Sequence, residues 1–119
     1  MPASGPRVLG FGKDPATAAA IQDKARAAGF RATTFALTDD AEGDARLVGE
    51  LEAGDYDVVT FGGALNGQNP ASPPDEQSTL WFERVLNIVH RGAPSARLAL
   101  VRTADEYVSV VERVLGPRP

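Results

Sequence analysis

The chain has 119 residues, of which 43% are hydrophobic and 24% are charged, and its 12 basic and 16 acidic side chains give a formal net charge of −4. These values fit one soluble globular domain, exclude a disordered chain, and argue against nucleic acid or an anionic membrane as the main partner. The chain has no cysteine, which excludes disulfides, thiolate zinc sites and thiol nucleophiles, and no apolar run approaches the length of a membrane span.

The first part of the chain predicts a loose end, a strand and a helix. Residues 1–6 are rich in proline, serine and glycine, which is typical of an unstructured N-terminus. The apolar run 7–12 is bounded by glycine and predicts a buried strand. Asp14 suits an N-cap followed by proline at the first helical position, so we expect a helix over 15–28 that stops at Gly29.

The next segments repeat this alternation. Residues 31–37 are rich in strand formers and predict the second strand. Asp39 and Glu42 have the spacing of a capping box, which predicts the start of a helix that runs from about residue 40 to residue 53. Residues 56–61 predict the third strand, and two glycines stop it.

The second half of the chain opens with its longest irregular stretch, residues 62–72. A helix start is predicted at Ser72, with the helix reaching about residue 91. Residues 96–102 predict the fourth strand, and a capping box at Thr103 predicts a last helix that ends near residue 115. Residues 116–119 are a short tail.

The resulting order βαβαβαβα predicts an α/β fold in one domain over residues 7–115. Strands that are separated by helices run parallel, because each crossover returns the chain to the same end of the sheet. Right-handed crossovers then give an open four-stranded parallel sheet flanked by helices, a flavodoxin-like or Rossmann-like three-layer sandwich. We expect the strand order 2-1-3-4.

The sheet predicts where a ligand would bind. Ligands of such folds lie beyond the carboxyl ends of the strands, near the point where the strand order reverses. The candidate ligand-binding residues in the segments there are Gly10, Gly12, Lys13, Asp39, Gly62, Gly63, Asn66, Gln68 and Thr103. The long, amide-rich loop after the third strand suggests function, and the alternative is a flexible connection.

The segment Gly10–Lys13 has some features of a phosphate cradle at a helix N-terminus. Pro15 stands at the third glycine position of the dinucleotide fingerprint and removes an N–H donor, and Asp14 adds a negative charge at the same place. Both residues count against a pyrophosphate site. Asp39 lies where a dinucleotide fold keeps its ribose-binding acid, but a helix cap is the simpler role.

The single histidine, His90, could form an acid–amide–imidazole stripe with Glu83 and Asn87 on one helix face. That helix starts at the carboxyl ends of the strands and runs away from them, which places His90 at the opposite end of the domain from the predicted cleft. A structural or interface role therefore fits better. The sequence predicts no catalytic residues and no metal site.

Residues 51–62 resemble the junction before the third strand of two-component response-regulator receiver domains, and the likeness extends loosely over residues 7–62. The resemblance implies a flavodoxin-like fold. The receiver's chemistry does not carry over, because Gly62 stands where the phosphoacceptor aspartate would be, and Gly12 and Lys13 replace the acidic pair after the first strand. Aspartyl phosphorylation needs that nucleophile and the acidic ligands for Mg²⁺.

The second half carries a weaker likeness. Thr103 lies near the position of the receiver's switch Ser/Thr, but the receiver's lysine after a fifth strand has no counterpart. Residues 81–90 and the following strand are similar to small bacterial α/β proteins, and this similarity brings no activity with it.

The last helix has more apolar residues than one sheet face should need, and the fourth strand lies at an edge. We predict a homodimer that uses this strand, the last helix or the Trp81 side of the third predicted helix. The candidate interface residues are Trp81, Tyr107, Val108 and Val111. The alternative is that the last helix packs entirely onto the sheet.

Two functions follow as expectations. The first is a non-catalytic receiver-like binding or regulatory module that acts through self-association or a protein partner. The second is a small-ligand protein, nucleotide- or flavin-like in its ligand, or a minor enzyme with its site at the carboxyl ends of the strands. No motif requires a cofactor. We expect a cytoplasmic protein because no signal peptide is visible, and a bacterial one because arginine far outnumbers lysine.

Overall fold

Strands and helices alternate along the chain, with two short helical turns added. The computed structural model describes residues 5–71 and 73–116. The elements in chain order are β1 (Arg7–Gly12), α1 (Pro15–Ala27), β2 (Arg31–Ala36), α2 (Ala41–Ala53), β3 (Val58–Phe61), α3 (Gly63–Asn66), α4 (Glu76–Gly92), β4 (Arg97–Leu100), a 3-10 turn (Ala104–Glu106) and α5 (Tyr107–Leu115).

All four strands are parallel, in the order β2-β1-β3-β4, which confirms the predicted topology. In the register of the sheet, Phe11 on β1 pairs with Phe35 on β2 and with Phe61 on β3. The order reverses between β1 and β3, so the carboxyl ends of these two strands form the switch point of a flavodoxin-like three-layer fold.

Each face of the sheet has its own apolar cluster, because successive strand residues point to opposite faces. On one face, Leu9, Phe11, Val59 and Phe61 pack with apolar residues of α2 and α4. On the other face, strand residues such as Val8 and Val58 pack with residues of α1 and α5. The two clusters give the three layers of the fold.

The first two helix starts are defined by aspartates. Asp14 caps α1, and Gly29 follows its end with a positive φ of 96°, as the sequence predicts. The prediction for α2 is wrong by one residue, because Asp40 and not Asp39 is its N-cap. The Asp39 carboxylate instead lies 2.7 Å from the Arg84 guanidinium.

The segment 62–72 is less irregular than predicted, because it contains the single turn α3. The start of α4 also differs from the prediction. Asp75, not Ser72, is the N-cap, and it exchanges hydrogen bonds with Ser78 in a capping box. Ser72 itself lies outside the described residues. The later start has a steric reason, since Pro74 disfavours helical backbone at Pro73, the residue before it.

Most of the predicted interface residues lie in the core. Trp81, Tyr107 and Val111 are 5%, 2% and 0% exposed, and Val108 is half-buried against the same cluster as Tyr107. The last helix packs its apolar side onto the sheet, which is the alternative that the sequence left open, and the homodimer stays a prediction.

The N-terminal segment is only partly as predicted, since its last residues are attached to β2. The Arg31 amide donates to the Pro6 carbonyl oxygen at 2.8 Å, and Arg31 Nε donates to the Gly5 carbonyl oxygen at 2.7 Å. Residues 1–4 and the tail residues 117–119 lie outside the described residues.

Candidate binding cavity at the carboxyl ends of the strands

A cavity of about 180 Å³ lies at the carboxyl ends of β1, β3 and β4, on the sheet face that α1 and α5 cover. This is the position that the parallel topology predicts for a ligand. The predicted ligand residues that line the cavity are Gly10, Gly12, Lys13, Gly62, Gly63 and Thr103.

The cavity exists because the strand residues that face it are small. A Cβ atom on Gly10 would lie 2.6 Å from Thr60 Oγ1 and 2.8 Å from Tyr107 Oη, so a side chain at Gly10 would press directly on the deepest part of the cavity. Ala18 of α1 and Thr34 of β2 also line it. Small residues on facing elements leave a space that apolar side chains would otherwise fill.

The floor of the cavity holds two buried hydroxyl groups. Thr60 Oγ1 and Tyr107 Oη lie 2.9 Å apart, and the two residues are 1% and 2% exposed. Burial raises the pKa of Tyr107 to about 12, and the hydrogen bond with Thr60 opposes part of that shift. The phenol is therefore neutral at physiological pH and remains a hydrogen-bonding group rather than a charge.

The mouth of the cavity carries two cations and one carboxylate. Lys13 lines it with its ammonium 5.6 Å from the centre of the Trp81 ring. The Arg102 side chain has no hydrogen-bond or ion-pair partner among residues 5–71 and 73–116. Asp14 also lines the mouth, but it is engaged as the cap of α1, and hydrogen bonds from Thr17 lower its pKa.

The capping role of Asp14 bears on the phosphate hypothesis. Its carboxylate accepts the Thr17 amide at 3.0 Å and so occupies the N-terminus of α1 with a negative charge. An anion would have to displace that carboxylate, and Pro15 at the start of the helix has no N–H to offer. The structure thus gives the N-terminus of α1 no free phosphate cradle.

Thr103 begins the 3-10 turn that leads into α5. Its hydroxyl donates to Asp105 Oδ1 at 2.6 Å, and its amide donates to Glu106 Oε1 at 3.2 Å. The hydroxyl bond lowers the pKa of Asp105. The capping box that the sequence predicts is present, and it orients the helix that carries Tyr107 into the cavity.

Two predicted site residues, Asn66 and Gln68, do not line the cavity. Asn66 is 9% exposed, and its Nδ2 donates to the carbonyl oxygens of Phe61 at 2.7 Å and Val101 at 3.1 Å. Its Oδ1 accepts the Gln68 amide at 2.8 Å. The amides were expected to bind a ligand, but Asn66 ties the end of β3 to the end of β4, and the Gln68 side chain is exposed.

Asp39 and His90 also lie elsewhere. Asp39 pairs with Arg84 and borders a separate polar cleft of about 300 Å³, which it shares with Lys13 and Trp81. His90 is exposed in the last turn of α4 and lines neither space. His90 therefore lies apart from both spaces, as expected from the direction of its helix, and Asp39 borders the polar cleft rather than the cavity.

Sequence reasoning missed the residues that form the floor. Thr60 is the one polar residue in the strand Val58–Phe61, and this interruption of an apolar run was the available signal. Tyr107 was assigned to an interface because its spacing matches the apolar side of the last helix. Thr34 and Arg102, which also line the cavity, carry no motif that would mark them.

No family model matches the chain, and a comparison with curated proteins finds no significant match. Within residues 5–71 and 73–116, no helix is both long and apolar enough to cross a bilayer. In the same ranges, no three histidine, aspartate or glutamate side chains are grouped so that they could hold a metal ion.

Proposed function

We propose that the protein is a binding module for a small organic molecule, with its site in the cavity at the carboxyl ends of the strands. The observation that carries the proposal is the combination of small, largely apolar walls with a buried pair of hydroxyls, Thr60 and Tyr107. A concave, mostly apolar pocket with a few convergent polar groups is the usual form of a ligand site.

The lining residues favour binding over catalysis. No histidine lines the cavity in the part of the chain that the structure describes, and the sequence has no cysteine. The hydroxyls of Thr60 and Tyr107 bond each other, so neither has an adjacent base that could activate it. Asp14, the carboxylate at the mouth, is committed to Thr17.

The volume limits the ligand. Sites for drug-sized molecules are roughly 300–1,000 Å³, and this cavity of about 180 Å³ is smaller. A single ring system fits within it, whereas the sugar and phosphate of a nucleotide, or most of a flavin, would remain outside.

Filling the mouth with one methyl group tests this proposal. A Cβ on Gly12 would have only the Gly62 Cα at 3.8 Å, an ordinary van der Waals contact, so Gly12→Ala should fold and narrow the cavity. Gly49→Ala is the matched control, because Gly49 on α2 has open space around it. The measurement is a thermal-shift screen of nucleobases, nucleotides, flavins and aromatic acids.

We expect hits that stabilise the wild type and Gly49→Ala and lose their effect in Gly12→Ala, since a ligand stabilises only the state that binds it. Hits that stabilise all three proteins equally would place binding elsewhere. A screen without hits would count against a ligand function altogether.

A second candidate function, a receiver-like module that self-associates, is favoured by the edge of the sheet. Leu98 and Leu100 on β4 are 42% and 44% exposed. The amides of Arg97 and Val101 donate to the carbonyl oxygens of Asp57, just before β3, and Phe61, at its end. The alternate backbone groups at the two leucines therefore point away from β3, toward the open edge. An apolar edge strand is a template for pairing with a second chain.

Light scattering after size exclusion tests the self-association. We expect a dimer in the wild type and a monomer in Leu100→Lys, because a charge on an edge strand opposes pairing. Leu80→Lys is the control, since Leu80 is 55% exposed on α4. A wild-type monomer at high micromolar concentration would exclude this candidate.

A further inference from the structure

The hydroxyl pair at the floor has one arrangement in which both hydroxyl protons reach an acceptor. The Leu9 carbonyl oxygen, 3.5 Å from Thr60 Oγ1, can only accept, so Thr60 donates to it. The 2.9 Å contact with Tyr107 permits either hydroxyl to donate, and in this arrangement Thr60 accepts the proton of Tyr107. This leaves the lone pairs of Tyr107 Oη for the cavity, and a ligand atom that meets them must be an O–H or N–H donor. The raised pKa of Tyr107 keeps this phenol neutral.

The mouth prefers the opposite kind of group. Of its charged residues, Asp14 is bonded to Thr17, while Arg102 has no hydrogen-bond or ion-pair partner in the ranges 5–71 and 73–116. Lys13 also borders this end, but its ammonium lies 5.6 Å from the centre of the Trp81 ring, beside the separate polar cleft, so Arg102 is the cation that a ligand can use. A carboxylate at the mouth would gain charge-assisted hydrogen bonds that the chain itself does not use.

The space between floor and mouth suits a flat ring. Gly10, Gly12, Gly62 and Gly63 present bare backbone along the cavity, and glycine allows a ligand to approach the backbone closely. Ile21 and Val101 add apolar walls. At about 3.3 Å per extended residue, the backbone of residue 13 at the mouth lies roughly 10 Å beyond Gly10, a span for one ring with a polar group at each end.

We propose that the ligand class is a small aromatic acid with a hydroxyl or amino group opposite its carboxylate, the donor reaching Tyr107 and the carboxylate lying by Arg102. This inference rests on the proposed binding function and adds the chemical class of the ligand and its orientation in the cavity.

Three simple probes test it. 4-Hydroxybenzoate carries both groups, benzoate lacks the donor, and phenol lacks the carboxylate. Titrations followed by the amide NMR signals of Gly12 and Gly62 report both the affinity and the place of binding. We expect 4-hydroxybenzoate to bind about 2- to 12-fold more tightly than benzoate, the range for one neutral hydrogen bond. We expect phenol to bind more weakly than 4-hydroxybenzoate, because it has no carboxylate.

Two variants test the contacts at the two ends of the ligand separately. Tyr107→Phe should make 4-hydroxybenzoate and benzoate bind equally, and Thr60→Val provides a second, independent disturbance of the floor if Tyr107→Phe fails to fold. Arg102→Gln should weaken both acids and leave phenol unchanged. Arg91→Gln, at the far end of α4, is the control for a lost positive charge.

The outcomes distinguish this inference from the proposed function. If benzoate equals 4-hydroxybenzoate in the wild type while both shift Gly12 and Gly62, the ligand class is wrong and the binding site stands. If no probe shifts the cavity signals, the class is also wrong, and the separate library screen with Gly12→Ala decides whether the cavity binds anything.

Discussion

The two faces of the sheet differ most at the carboxyl ends of the strands. On the face that α2 and α4 cover, aromatic rings fill the space: Phe61 contacts Phe11 at 5.2 Å and Phe82 at 5.6 Å between ring centres. On the opposite face, the neighbouring strand positions are Gly10 and Thr60, and a cavity remains.

The difference shows that the short strand β3 contributes different side chains to the two faces of the sheet. Phe61 and Thr60 are adjacent in sequence, yet their side chains point to opposite faces because of the pleat. Tight packing on one face supplies stability. The other face can then keep a polar floor and a cavity, which contribute less to stability.

Substitutions of Phe61 and Thr60 test this difference between the packed face and the cavity face, and we expect them to give the largest effect. Phe61→Ala removes a fully buried ring from among other aromatics and should lower the free energy of unfolding by about 3–5 kcal/mol. Thr60→Val keeps the volume and removes one hydroxyl, so its cost should be about 1–3 kcal/mol. Urea denaturation measures both.

Equal losses for Phe61→Ala and Thr60→Val would break the comparison, because the cavity face would then be as important for stability as the packed face. If Phe61→Ala does not fold, Phe61→Leu gives the same comparison with a smaller cavity.

Asn66 provides the next largest effect, because it ties the strand ends that border the cavity. Asn66→Ala removes the hydrogen bonds to the Phe61 and Val101 carbonyls and the acceptor for the Gln68 amide. At about 0.5–1.5 kcal/mol each, the loss of these three bonds should total roughly 1.5–4.5 kcal/mol. Gln68→Ala is the control, since Asn66 accepts only the backbone amide of residue 68. A loss below about 0.5 kcal/mol would contradict the structural role of Asn66.

The sequence predicts the fold well because the signals for it are local. The pattern of strand and helix segments, with Asp14 and Gly29 at the ends of α1, determines a parallel sheet once crossovers are right-handed. The site is harder to predict. Glycines at strand ends were found because their position follows from topology, whereas the pairing of Thr60 with Tyr107 depends on how α5 lies on the sheet, and no local pattern contains that contact.

Asn66 and Asp39 show that the sequence also does not reveal which polar residues bind to distant parts of the chain. Both are polar residues near strand ends, and sequence reasoning placed both in the site. The Asn66 side chain donates to backbone carbonyls, of which that of Val101 is 35 residues away in the chain. The Asp39 carboxylate pairs with the Arg84 guanidinium, which is 45 residues away.

The ionisation of Tyr107 tests whether the floor on the cavity face is buried. Burial raises its pKa from 10.0 to about 12, so the unfolded chain loses the phenol proton first as the pH rises. Stability from this group is complete below pH 10.0 and is lost as the pH rises to about 12. At 1.36 kcal/mol per pKa unit, the loss is about 2–3 kcal/mol.

Urea denaturation of the wild type and Tyr107→Phe across this pH range isolates the effect, because all other titrating groups are common to both proteins. We expect the difference in stability between them to shrink as the pH rises. A constant difference would mean that the hydroxyl is open to solvent, and the buried floor on which the cavity depends would be wrong.

The smallest effect is expected on the packed face, where Arg84 of α4 bridges to α2. Its guanidinium lies 2.7 Å from Asp39 and 2.9 Å from Asp44, with side chains that are 41%, 26% and 29% exposed. Ion pairs with this much solvent contribute little, so Arg84→Met should cost below about 1 kcal/mol, and the cost should fall in high salt. Denaturation at low and high salt measures it. A larger loss that falls in high salt would mean that these charges, and not the rings around Phe61, hold α2 and α4 on this face.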